Sequence, residues 1–420
     1  MNIKVPLYLW NDSGKQDPAY RLTVSCLSQP YSFTLEVSLY FHPPAAGCLN
    51  PGRRFCIQTM SAIHAPARIG ALWQQRMETM REYEVVRDGN VFGSSFSNSV
   101  VFSSDYEQAH HRLDVLVEKY RNVPFDNIFS GTEIFNECGV CFSLKSRQSL
   151  KIPSLDLDRL RSEIMEDLTL VHGIGPRTQT RLRLKGFRTL PDLMQHPKFR
   201  SNTHMVLKYL SGGNSAEIMD LIGSRHAKTH PCVLGTAGLH EPEDYVFLDI
   251  ETLGLFSRPV ILFGVGTIEN GNLTVHQYLL RDIDEEQAAL MATLGHVSGD
   301  RPALVTFNGK SFDVPYLSDR LAYYGMGSLA KIPHFDVLHF SRRRWKDHLP
   351  SLRLTALEKE IRGISRDDDI PGQMVPEFYE TYLRTGNCGP LVPIIEHNRQ
   401  DVVSLALLFF YLLGESYGCR

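Results

Sequence analysis

Apolar positions between residues 245 and 338 fall into short runs, and after residue 352 they follow a helical repeat. Residues 245–250 are apolar apart from Asp249 and β-branched at Val246 and Ile250, which predicts a buried strand. Residues 260–267 and 273–279 predict two more strands, joined by the hairpin signal Asn270-Gly271. A helix at 284–294, a strand at 302–307, a helix at 313–323 and a short strand at 332–338 follow. Helices are then expected at 352–361, 375–384 and 391–413.

The pattern upstream is weaker. Residues 1–70 are poorly patterned, with one loosely alternating strand at 31–41 and Pro/Gly-rich loops after it; a later start at Met60 or Met77 is one reading. Residues 71–154 predict an α+β region, with helices at 70–85 and 106–120 and strands over 129–150. Cys138-Gly-Val-Cys141 lies among those strands, either a tight turn with two half-buried thiols or half of a zinc site. A helix from Leu155 to about Leu168 leads into Val171-His172-Gly173-Ile174-Gly175-Pro176 and a basic helix reaching Lys185. This resembles a helix-hairpin-helix unit over residues 155–228. Gly173 and Gly175 let a hairpin backbone approach a phosphate, and Pro176 suits the first position of the next helix. Residues 224–243 read as a linker.

Composition adds charge to this picture. Residues 171–228 hold 10 Lys+Arg against 3 Asp+Glu, and residues 241–420 hold 17 against 25. A basic segment beside an acidic domain suits phosphate-backbone contact, through Arg177, Arg181 and Lys185, next to a metal-using site. The chain has no signal-peptide pattern and only eight Cys in 420 residues, which favours a reducing cytoplasm.

The acids of the last domain carry the chemistry. Asp249 and Glu251 share one face at the end of the first strand, and two close carboxylates repel unless a cation lies between them. Asp313 stands in the first turn of its helix. His397 and Asp401 share a face of the last helix, at the head of a buried apolar stretch.

Three strands in a meander, then helix, strand, helix, strand and helices is the order of a ribonuclease H-like α/β fold, a mixed sheet flanked by helices. Asp249-x-Glu251, Asn308-x-x-x-Phe312-Asp313 and His397-x-x-x-Asp401 resemble, in order and context, the three motifs of the DEDD superfamily of 3′→5′ exonucleases. Within it, residues 244–413 resemble the YprB-type family of exonucleases with a ribonuclease H-like domain. Asp369-Ile370-Pro371-Gly372, Val375-Pro376 and His397-Asn398-Arg399-x-Asp401 are similar to that family's landmarks. A helix-hairpin-helix-like segment often precedes the nuclease domain there.

The resemblance implies Asp249, Glu251, Asp313 and Asp401 as ligands of two divalent cations, Mg²⁺ or Mn²⁺, acting on DNA or RNA. His397, at the spacing where related motifs carry tyrosine, is implied as general base; an ordinary imidazole, with a pKa of about 6.5, accepts a proton near neutrality. Asn308, Lys310 and Phe312 are candidate contacts to phosphate or a terminal base, although a phenylalanine such as Phe312 is more often a core residue. Arg342-Arg343-Arg344-Trp345-Lys346 is either a single-strand platform or a solvated helix face. Asp336 matches no ligand motif and is expected to be structural. A structure-selective endonuclease, or a nucleic-acid-binding protein with a degenerate site, are the alternative functions.

Overall fold

The structure is a computed structural model. It describes residues 103–419, apart from 255–257, 330, 367 and 368, and a set of strands within residues 2–41. The chain divides into Met1–Trp73 and Gln74–Arg420. In the first unit Asn2–Pro6, Tyr20–Gln29 and Ser32–Phe41 form an antiparallel sheet, and Leu9–Trp10 pairs with Gln16–Asp17. The strand expected at 31–41 is present there with neighbours the weak pattern did not disclose. The helix expected at 70–85 lies outside the described residues.

The second unit is built on a seven-stranded mixed sheet. Its strands are β1 (Gly131–Asn136), β2 (Gly139–Ser149), β3 (Tyr245–Thr252), β4 (Val260–Glu269), β5 (Asn272–Leu279), β6 (Ala303–Thr306) and β7 (His334–Asp336). Their spatial order is β7-β6-β3-β4-β5-β2-β1. β6 runs parallel to β3 and β7, and the other pairs are antiparallel. The β4–β5 turn places both Asn270 and Gly271 at positive φ, 52° and 74°, as a tight type I′ hairpin requires. β1 and β2, set apart in the sequence as an α+β region, belong to this same sheet because β2 pairs with β5 along its whole length.

The helices are α1 (Ser103–Lys119), α2 (Leu157–Glu166), α3 (Pro176–Leu184), α4 (Leu190–Leu193), α5 (Arg200–Ser211), α6 (Ser215–Gly223), α7 (Pro231–Gly235), α8 (Glu286–Val297), α9 (Asp313–Tyr323), α10 (Val337–Trp345), α11 (Leu354–Arg362), α12 (Val375–Thr385) and α13 (Leu391–Tyr417). None of the described helices is long and apolar enough to cross a membrane.

Two cores lie on the two faces of the sheet. On one, Val246, Leu248 and Ile250 of β3 meet residues of α1, α8, α9 and α12. On the other, Tyr245 and Phe247 meet Val402, Phe409 and Phe410 of α13, and this core continues without a break into Leu168, Ile174, Leu182 and Ile222 of the helical layer. The segment read as a linker is therefore not one. Thr236 and Ala237 are fully buried, and Cys232, Val233 and Leu234 nearly so. Its polar ends had hidden a short apolar helix.

Strand alternation puts Asp249 and Glu251 on the α13 face, in line with Tyr245 and Phe247. Asp249 pairs across the sheet with Gly264, and Gly264 with Gln277. A glycine in a strand interior allows another element to come close. Here a Cβ on Gly264 would lie 2.4 Å from Asn398 Oδ1, and one on Gly266 would lie 2.8 Å from Val402 Cγ1. These two glycines seat α13 directly on the sheet. Gly264→Ala is expected to cost about 1–3 kcal/mol, the usual penalty for overpacking. Thermal and urea denaturation check it, with Gly271→Ala, whose Cβ meets open space but whose φ is positive, as a strain-only comparison.

Candidate active site

Four parts of the chain converge at the C-terminal end of β3. β3 brings Asp249 and Glu251, the first turn of α9 brings Asp313, the head of α13 brings His397, Asn398 and Asp401, and the connection between α11 and α12 brings Arg366 and Asp369. The four acids and the histidine expected from the sequence are thus together, and three partners join them that received no role from the sequence: Asn398, Asp369 and Arg366.

Asn398 is fully buried beneath Asp249. Its Nδ2 donates to Asp249 Oδ2 at 2.8 Å and to the Asp249 carbonyl at 3.2 Å, and its Oδ1 accepts from Gln277 Nε2 at 2.9 Å. Gln277 Nε2 also donates to the Ile395 carbonyl at 2.8 Å. Asn398 therefore fills the space above Gly264 and binds the residues on both sides of it. Asp313 Oδ1 accepts from the Ile250 N–H at 3.2 Å. Glu251 and Asp313 are 9% and 5% exposed.

His397 is held from the opposite side. Its Nδ1 donates to Asp369 Oδ1 at 2.5 Å, which leaves Nε2 facing Glu251 Oε1 at 3.8 Å and Asp401 Oδ2 at 3.7 Å. Asp369 also accepts from the Ile370 N–H at 3.0 Å. Arg366 Nη1 lies 2.6 Å from Asp401 Oδ1 and 3.3 Å from Asp369 Oδ2.

The charges in this cluster are unbalanced. Burial, then the charges of Asp401, Glu251 and Asp313, hold the Asp249 carboxyl well above its ordinary range. Burial pushes Glu251 up to about 8, with Asp401 and Asp313 adding to it and His397 opposing. Burial likewise raises Asp313 to about 7, although two backbone N–H groups resist. For His397 burial favours the neutral ring, but Asp401, the Asp369 hydrogen bond and Glu251 outweigh it and raise the imidazole to about 10. The ordinary imidazole assumed from the sequence is thus corrected: without cations His397 is protonated at neutral pH.

Acids that share a site in this way fit hard divalent cations, whose charge would remove the repulsion. Asp401 Oδ1 is buried, with the Arg366 guanidinium as its close neighbour. As they stand, no three His, Cys, Asp or Glu groups among the described residues are close enough to be a ready-made metal site. In this arrangement Arg366 contacts Asp401, Asn398 donates to Asp249, and His397 Nε2 faces both Glu251 and Asp401. Cys138 in the β1–β2 turn and Cys141 within β2 are free thiols, the second fully buried.

The loop after β6 is shaped by Asp336. This carboxylate, 1% exposed, accepts from the backbone N–H of Asn308 at 2.8 Å and of Lys310 at 3.0 Å. Asn308 takes φ 66° to make the turn and is 5% exposed, so its place is in the loop's framework. Lys310 is exposed at the surface. Phe312 is half-buried, packed on the α9 side of the sheet with its ring 5.4 Å from Tyr316. The strand expected at 332–338 ends at Asp336, and α10 begins at once, carrying Arg342, Arg343 and Arg344 on an exposed face. Trp345 is half-buried with its ring 6.2 Å from Tyr411, so the run is a basic helix face and not an aromatic platform.

In the helical layer Gly173 has φ 86°, and Gly175 caps α3, with Pro176 at its start. Gly173, Gly175, Arg177, Arg181 and Lys185 are all exposed, while Ile174 and Leu182 anchor the turn in the core. A Cβ on Gly175 would meet nothing, so its surroundings are open.

The sheet order and its flanking helices define a ribonuclease H-like α/β domain. Residues 246–413 match a family model described as RNase_H superfamily. The chain is similar to the uncharacterized protein YprB of Bacillus subtilis (strain 168), 34% identical over 180 residues, which are 41% of this chain and 43% of that protein. The chain thus spans less than half the length of that curated relative.

The raised acids make stability depend on pH. A carboxylate whose folded pKa exceeds its unfolded value contributes stability at low pH that is lost as pH rises through the folded value. For Glu251 this window runs from its ordinary 4.5 to about 8. Metal-free protein should therefore lose stability across that range. Glu251→Gln should flatten the decline, as followed by melting temperature against pH in EDTA; a slope equal to that of the wild type would show that Glu251 does not titrate there.

Proposed function

We propose that this protein is a metal-dependent nuclease that hydrolyses phosphodiester bonds of DNA or RNA, working as a 3′→5′ exonuclease with two divalent cations. The observation that carries the reading is the meeting of Asp249, Glu251, Asp313 and Asp401, with His397, at the end of β3, an interior strand of a ribonuclease H-like sheet. Asp249, Glu251, Asp313 and Asp401 would hold Mg²⁺ or Mn²⁺. When bound, the cations would supply the Lewis acidity that activates water and stabilises the leaving oxygen.

The remaining groups have separate tasks. Asp369 fixes the His397 ring so that Nε2 faces the acids. His397 then takes the proton of the attacking water once added positive charge brings its affinity for protons down. Asn398 keeps the Asp249 carboxylate in place. Lys310, exposed on the loop before α9, meets the phosphates of the entering end. The α3 turn would act as a helix-hairpin-helix, with Gly173, Gly175, Arg177, Arg181 and Lys185 gripping the backbone without reading sequence. Such an enzyme would work in the cytoplasm.

Asp249→Asn should abolish cleavage of end-labelled DNA and RNA in Mg²⁺ or Mn²⁺ while leaving the circular dichroism spectrum unchanged. Mononucleotide products from the wild type support an exonuclease. Internal fragments would replace it with an endonuclease, and wild-type turnover by a folded Asp249→Asn protein would remove the site assignment.

A separate measurement tests the basic turn. Arg177→Ala/Arg181→Ala should flatten the slope of log affinity against log salt by about 1.4–1.8 units, two lost phosphate contacts, with the rate at saturating substrate preserved. Unchanged affinity and slope with a lower melting temperature would make this layer a packing element only.

A further inference from the structure

We infer that Arg366 competes with a divalent cation for Asp401, so that of two cations the one served by Asp401 binds last and more weakly. This rests on reading the carboxylates as cation ligands. The two sides of the acid cluster are satisfied by different chemistry. Asp249 and Asp313 accept from neutral donors, the Asn398 amide and the Ile250 N–H. Neutral donors orient a carboxylate and leave its charge in place. Asp401 instead already faces a full positive charge, with Arg366 Nη1 2.6 Å from Oδ1.

That guanidinium is anchored from behind. Arg366 Nε donates to Glu358 Oε2 at 2.7 Å, and the other Glu358 oxygen accepts from Gln400 Nε2 at 2.6 Å. The Glu358 side chain is 1% exposed and that of Arg366 10%. The anchor holds the positive group against Asp401. The contact with Asp401 is a close ion pair that a cation must share or displace. A cation arriving at Asp401 meets a like charge a few ångströms away, and in a partly buried site that repulsion is only weakly screened. Either the guanidinium withdraws towards Glu358 and Asp369, or the cation binds against it; both lower the affinity. The site would then respond to cation concentration through its Asp401 side.

The test is Mn²⁺ binding to the whole chain, counted from the electron paramagnetic resonance signal of free Mn²⁺, so that no turnover is needed. The wild type should show a tight and a weak class. Arg366→Gln should tighten the weak class by about tenfold or more. Because this variant leaves Glu358 buried without its counter-charge, Arg366→Gln/Glu358→Gln is measured beside it and should show the same gain. Equal classes in the wild type, or a weak class unchanged or weaker in a folded variant, would overturn the inference. Asp249→Asn separates the two levels. If it removes Mn²⁺ binding while the Arg366 variants change nothing, only the competition fails. If it leaves both classes intact, the reading of the cluster as a cation site fails with it.

Discussion

A missing side chain organises this site. Across β3, β4 and β5 one rung of the sheet reads Asp249, Gly264, Gln277. The gap at Gly264 admits Asn398 of α13, which hydrogen-bonds to the residue on each side. A buried carboxylate needs such a partner, and a buried amide needs both its ends satisfied. The same contact fixes the register of α13 on the sheet, and Gly266 against Val402 fixes it again two rungs away. Since His397 and Asp401 ride on that helix, one close approach sets three side chains at once. The apolar length of α13, from Val402 to Tyr417, gives the helix its hold in the core, while its head supplies the polar groups.

The second organising element is the connection from α11 to α12. It adds Asp369 to His397 and Arg366 to Asp401, and through Glu358 it ties both to a buried anchor. This gives the acid cluster an outer layer of alternating charge. Within it the imbalance stays negative: burial, with the neighbouring acids adding to it, raises Glu251 and Asp313, and the acids raise His397 against the effect of burial. These are the conditions in which added positive charge is strongly stabilised.

The sequence made the central features legible because they are local. The β4–β5 hairpin was carried by Asn270-Gly271, the strand by its apolar run, and the pairing of Asp249 with Glu251 by alternation. Asp313 and Asp401 followed from motif order. What was hidden depends on contacts between distant residues. Gly264-Val265-Gly266 reads locally only as a weakened strand, and its purpose appears when Asn398 arrives from a helix far downstream. Asp369 lay in a recognised landmark but acquires a role only through His397. Arg366 had no signal of its own among the many arginines. The first two strands read apart from the rest of the sheet because the whole helical layer separates β2 in sequence from β5, the strand that joins their hairpin to the sheet. The raised proton affinity of His397 is hidden in part for the same reason, since Asp401 lies on its own helix but Glu251 and Asp369 come from two other parts of the chain.

That separation has a practical meaning. β5 is an interior strand only because β2 covers it, pairing from Asn272 to Leu279. A fragment cut at residue 244, where the nuclease-like pattern begins, would leave β5 as a naked edge with a row of unpaired backbone donors and acceptors. Such an edge invites pairing with a second molecule. In the whole chain β2 bears exposed Lys145 and Arg147 beside this junction, and the outermost place falls to β1, only six residues long. The hairpin of Gly131–Ser149 thus covers an edge that a shorter fragment would expose, several strands away from the acid cluster.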